Sequence, residues 1–148
     1  MTKAAPQWYN AYMYSCEKIA ATLSREIDGA LKKIDPDVVA LLEAAKEEET
    51  NPRAAWALEQ ILENARIAAC GDCYPCQDTG IAMLFVRMGC NAQFDGDLGD
   101  ALVRGVRGGY RDARKSMVAH PLLRVNTKDN TPPVVRYEIT AGKGLEVF

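Results

Sequence analysis

The run Cys70-Gly71-Asp72-Cys73-Tyr74-Pro75-Cys76-Gln77-Asp78-Thr79-Gly80 decides how the rest of the chain is read. Three thiols stand at Cys-x2-Cys-x2-Cys spacing, and an amide, a carboxylate, a hydroxyl and a glycine follow the last of them. A helical pattern leads in, and an apolar, strand-like run over 81–88 leads out. A helix–loop–strand corner of this kind can hold soft ligands and polar groups on a rigid scaffold. Thiolates suit zinc or an iron–sulfur cluster. No second Cys-x2-Cys pair completes a zinc ribbon, and Cys90, fourteen positions after Cys76, is out of register for a ferredoxin-type fourth ligand. Taken alone, the triplet reads either as a metal centre completed by a distant residue or as three reduced loop thiols.

Upstream, Trp8, Tyr12, Ile19, Leu23, Ile27 and Ala30 recur at helical spacing and predict one helix over 6–33. Asp35-Pro36 and Asn51-Pro52 each set a capping side chain before a proline at the first helical position, opening helices over 36–49 and 52–69. Val38, Val39, Leu41, Leu42 and Ala45 form the expected buried face of the second helix, and Trp56, Ile61, Leu62 and Ala65 that of the third. Glu47, Glu48 and Glu49 read as a solvated helix end, and Gly71 as the stop of the third helix.

Downstream, the strand over 81–88 is apolar on both faces apart from Arg87, which predicts cover on both sides. A turn or loop spans 89–96. Asp97 caps a fourth helix running to about residue 117, with Leu102, Val103, Val106, Tyr110, Ala113 and Met117 on one arc. Arg104, Arg107, Arg111 and Arg114 line the neighbouring arc, either as a solvated face or with one arginine turned inward toward an anion. His120, the only histidine, precedes a proline and reads as structural or exposed. A polar loop covers 126–133. Val135, Tyr137 and Ile139 alternate with Arg136 and Glu138 as a half-buried strand, and 145–148 begins another.

Composition narrows the classes. A chain of 148 residues with 48% hydrophobic content suits one ordered domain, 1–148. A net charge of −2 gives no global field toward nucleic acid or an anionic membrane. No apolar run approaches the roughly 20 residues of a bilayer span, and residues 1–10 lack the pattern of a secretory signal. Five cysteines, an odd number, read as reduced cytoplasmic thiols, with Cys16 and Cys90 as small core residues. The apolar terminal strand suggests the front part of something larger, or a subunit that needs another.

Leu62-Glu63-Asn64-Ala65, Ile67-Ala68-Ala69 and Cys76-Gln77-Asp78-Thr79-Gly80 follow one another in that order. With Arg114-Lys115-Ser116 and Asn126-Thr127-Lys128-Asp129-Asn130-Thr131-Pro132, they make the chain resemble the class I, iron–sulfur fumarate hydratases and the α subunit of L-tartrate dehydratase. The likeness extends over nearly the whole chain, and the Cys-Gln-Asp-Thr-Gly run is its most specific part. It implies a [4Fe-4S] cluster held by three cysteines, with the fourth iron open to substrate. Of the three ligand positions only Cys76 has a match here, and the other two fall beyond Phe148. The resemblance also implies Asp78 in the base apparatus and Gln77 as a substrate contact. Arg114 matches the arginine that grips a substrate carboxylate, a task suited to a planar fork. Two departures stand out: the family's proline lies two before its cysteine, whereas Pro75 lies one before, and Cys70 and Cys73 replace ordinary residues.

The expectation is an α/β (α+β) fold, with N-terminal helices packed on a small mixed sheet, as an incomplete α-type region. Its function would be part of a cytoplasmic hydro-lyase that adds or removes water on a small hydroxy-dicarboxylate of the fumarate/malate or tartrate type. Alone it is expected to be inactive. Its partners would be the remainder of the α region and a β subunit or C-terminal domain, in an oligomer, with neither membrane nor nucleic acid. The rival expectation is a non-catalytic metal-binding or interaction module that uses Cys70, Cys73 and Cys76, with the arginine stripe on a partner or RNA.

Overall fold

The computed structural model describes residues 13–148 other than 72, 77, 79 and 121. Short strand β1 (Met13–Tyr14) precedes helices α1 (Cys16–Lys32), α2 (Pro36–Glu48) and α3 (Pro52–Cys70). Strands β2 (Met83–Gly89) and β3 (Gln93–Phe94), helix α4 (Leu98–Gly109), and strands β4 (Val134–Thr140) and β5 (Leu145–Val147) follow. In the three-stranded sheet β2 is central, parallel to β4 and antiparallel to β5, so Val86 lies opposite both Tyr137 and Val147. The second sheet is the parallel pair β1 and β3. The architecture is mixed α and β, with the expected small mixed sheet.

Caps written into the sequence start each helix. Asp35, Asn51 and Asp97 accept backbone N–H groups of Asp37, Arg53 and Asp100, and Pro36 and Pro52 occupy first-turn positions where no N–H is needed. The core forms where α1 and α4 cover one face of the sheet. Leu84 and Val86 of β2 meet Leu102 and Val106 of α4 and the following Tyr110 and Ala113. Ile19, Leu23, Ile27 and Leu31 of α1 close that cluster. The two helices approach closely through glycine: a Cβ at Gly109 would lie 2.6 Å from Ile27 Cβ, and one at Gly105 would lie 2.9 Å from Leu23 Cβ.

Several expectations are corrected. The first helix begins at Cys16, not near residue 6, because Met13 and Tyr14 pair with β3 and Ser15 caps the helix. Trp8 and Tyr12 lie outside the described residues. The fourth helix ends at Gly109, not near 117, where two glycines and the turn at Tyr110 stop it. Lys115 Nζ then donates back to the carbonyls of Arg111 and Ala113, satisfying chain that has left the helix. The 89–96 segment contains β3. Among the described residues, strand β2 is covered on one face only, since Met83 and Phe85 are exposed. On β4, Val135 is half-buried but Tyr137 and Ile139 are exposed, because the helices cover only part of that face. Helix α2 packs on α3 and buries no residue. Helix α3 buries Ala65 and Ala68, while Trp56 is 63% exposed. No helix among the described residues is long and apolar enough to cross a membrane.

Candidate functional site

Helix α3 stops at Gly71, and the chain crosses from there to β2 in a loop held from two helices. From α3, Asn64 Nδ2 donates to the Pro75 carbonyl at 2.7 Å. From α1, Asp28 Oδ1 accepts the Tyr74 hydroxyl at 2.9 Å, while its Oδ2 accepts Lys32 Nζ at 2.9 Å. The Lys32 ammonium also stands 5.5 Å from the centre of the Tyr74 ring. The Lys32 hydrogen bond, helped by that of Tyr74, holds the Asp28 carboxyl below the usual carboxylate range. Burial, then the facing Asp28 carboxylate, push the Tyr74 phenol up. Tyr74 and Pro75 are thus fixed immediately before Cys76.

The Cys76 thiol is exposed, and its Sγ accepts the Asp78 backbone N–H at 3.3 Å. Asp78 is also exposed, and its Oδ1 accepts the Gly80 N–H at 3.2 Å. Gly80 takes a left-handed φ of 63°, which lets the chain turn tightly into β2. Sulfur, carboxylate and turn therefore form one local unit. Gln77 lies outside the described residues.

Arg114 arrives from the other side. It is exposed and follows Ala113, which is buried in the core beyond the end of α4. Two residues on, Ser116 Oγ donates to the Gly80 carbonyl at 3.5 Å, which ties the Arg114 segment to the end of the cysteine loop. The opposite flank is held by the 126–131 loop: Asn130 Oδ1 accepts Met117 N–H at 3.0 Å, and Asn126 Nδ2 donates to the Lys115 carbonyl at 2.6 Å.

The arginine stripe does not survive as one face. Arg104 pairs with Asp100 and Glu17, and Arg107 pairs with Asp129. Arg111 pairs with its neighbour Asp112, and both Arg111 and Arg114 lie past the helix. His120 is exposed, and its Nδ1 accepts the Leu123 N–H, the structural role expected of it. Cys16 is buried, as expected, but Cys90 is exposed. Among the described residues, no three His, Cys, Asp or Glu side chains stand together as a metal-holding group, so Cys70, Cys73 and Cys76 do not converge.

Asp28, Tyr74, Asn126 and Asn130 went unnoticed as site supports in the sequence. The Asp28–Lys32 spacing of four on a helix was a readable signal for the pair itself. Nothing in sequence linked that pair to Tyr74, 46 positions from Asp28.

A protein of Methanocaldococcus jannaschii named "Putative L(+)-tartrate dehydratase subunit alpha" is 30% identical to this chain over 99 residues. The match covers 64% of this chain and 34% of that protein, so the chain spans about a third of its relative's length. The family model for fumarate hydratase (Fumerase) matches residues 20–148, which include every helix and strand described here except β1 and the first turn of α1. The chain therefore belongs to the fumarate hydratase family.

Proposed function

We propose that this chain forms part of the active site of an iron–sulfur hydro-lyase that adds or removes water on a small hydroxy-dicarboxylate, of the malate/fumarate or tartrate kind. The observation that carries the reading is the single turn uniting the Cys76 sulfur with the Asp78 carboxylate, flanked by the Arg114 segment through Ser116 and Gly80.

The residues present fit one corner of a [4Fe-4S] cluster. Cys76 offers an exposed sulfur that already accepts a backbone N–H, and hydrogen bonds to ligating sulfurs are among the contacts that tune such clusters. The other ligands would come from polypeptide outside this chain. A bound cluster with an open iron supplies Lewis-acid polarisation of the substrate hydroxyl.

The chain's own residues do the rest. The Arg114 guanidinium holds one substrate carboxylate through two parallel N–H donors. Gln77 donates to a substrate oxygen. Asp78 accepts the proton from the carbon next to the one that loses hydroxide. Its Oδ1 is engaged by the Gly80 N–H, so Oδ2 is the atom assigned to that proton. General-base assistance of this kind is worth roughly 10²–10⁴-fold. In the direction of addition Asp78 returns the same proton. The setting is cytoplasmic, supported by five unpaired thiols. The partners are the remaining α-type polypeptide and a β subunit or equivalent domain, in an oligomer.

Anaerobic reconstitution with those partners tests this reading. The expected product is a brown complex with hydratase activity. Asp78→Asn should lower kcat by roughly 10²–10⁴-fold with iron retained, and Cys76→Ala should lose iron and activity together. Iron binding that survives Cys76→Ala but is abolished by Cys70→Ala and Cys73→Ala would overturn the reading in favour of a local metal module.

A further inference from the structure

The Arg114 segment is exposed and lies beyond any helix, a poor platform for a residue that must present a fork in one orientation. Its stiffness has to come from contacts. Asn130 is 0% exposed and sits at the centre of those contacts. Its Oδ1 accepts the Met117 N–H, and the neighbouring Thr127 N–H donates to the Met117 carbonyl at 3.0 Å, so both backbone groups of Met117 are held by one loop. Asn126 Nδ2 donates to the Lys115 carbonyl from the same loop.

That loop is itself anchored. Asp129 Oδ2 accepts Arg107 Nε of α4 at 2.9 Å, and its Oδ1 accepts both the N–H and the hydroxyl of Thr131. The backbone of Asn130 is left-handed, with φ of 56°, a conformation that asparagine tolerates better than most residues. A side-chain acceptor is thus aimed inward from a strained position and buried completely. The bonds from Asn126, Thr127 and Asn130 end on residues 115–117, directly after Arg114.

We propose that Asn130 is a positioning residue for Arg114: it clamps residues 115–117 against the Gly80 turn and so sets the guanidinium toward the Cys76–Asp78 unit. The proposal rests on the hydro-lyase reading for what Arg114 grips, but the clamp can be measured without it.

Asn130→Gly is the informative variant, because glycine accepts the left-handed φ while deleting the acceptor. Gly109→Ala is the control, since it disturbs the α1–α4 contact and leaves the clamp intact. In the full chain, amide exchange at Met117 should accelerate at least tenfold in Asn130→Gly relative to β2 amides, and should not do so in Gly109→Ala. In the reconstituted assembly, Asn130→Gly should raise the KM for the dicarboxylate about tenfold, the loss of roughly one hydrogen bond to a charged group, with a smaller change in kcat. Unchanged Met117 exchange overturns the clamp. Accelerated exchange with unchanged KM overturns the positioning role. A wild-type assembly that binds iron yet turns over no dicarboxylate sinks the hydro-lyase reading and the substrate part of this proposal, and leaves the clamp to be judged on exchange alone.

Discussion

Asp28 lies on a helix remote in sequence from the cysteines, yet it governs how their loop is held. Its carboxylate receives the Tyr74 hydroxyl and the Lys32 ammonium, and its proton affinity is lowered chiefly by Lys32. The folded protein therefore keeps Asp28 charged to lower pH than the unfolded chain does. The stability this contributes is complete above the ordinary carboxylate value of about 3.9 and is lost as pH falls below it. Asp28→Asn should be destabilised at pH 7, and its deficit against wild type should shrink at pH 3, as read by urea unfolding at the two values. A deficit that stays constant with pH would show that the charge plays no part. Asn64 belongs to a family-like sequence pattern, but its physical task, holding the Pro75 carbonyl, arises only where α3 and the loop meet in space.

At the scale of elements, the starts of α2, α3 and α4 and the ends of α1, α2 and α3 were legible, whereas the start of α1 and the end of α4 were not. A cap is a local event: Asp35, Asn51 and Asp97 need only the next turn of their own helix to act. Asn51→Ala should cost about 1 kcal/mol, measured by thermal or urea melting, with α3 still formed. The expected continuation of α4 to 117 failed because amphipathic spacing persists through Tyr110 and Ala113, which are buried although the helix has ended. Periodicity records which side chains meet the core, and a turn can place them there as well as a helix can. The glycines of α4 carry a further constraint, the close passage of α1. Gly109→Ala should lose about 1–3 kcal/mol through overpacking against Ile27, and a neutral result would mean that α1 and α4 can move apart freely.

For the whole molecule, the question is which apolar residues are interior. Leu102 is completely buried, whereas Leu41, apolar and on a face expected to be inward, is 71% exposed. Leu102→Ala should cost about 2–5 kcal/mol, while Leu41→Ala should stay within about 0.5 kcal/mol. Chemical denaturation of the two variants checks where the core lies. The mixed α and β class, the order of the main helices and strands, and the Cys76–Gly80 turn followed from the sequence by itself, because caps, alternation and a glycine beside a carboxylate act over a few residues. The tertiary structure alone decided which sheet face is covered, that Arg104, Arg107 and Arg111 are paired with acids of this chain, and that Asp28 meets Tyr74 and Asn130 meets the Met117 backbone. Those contacts join residues far apart along the chain, and no local pattern encodes a partner that arrives from another element.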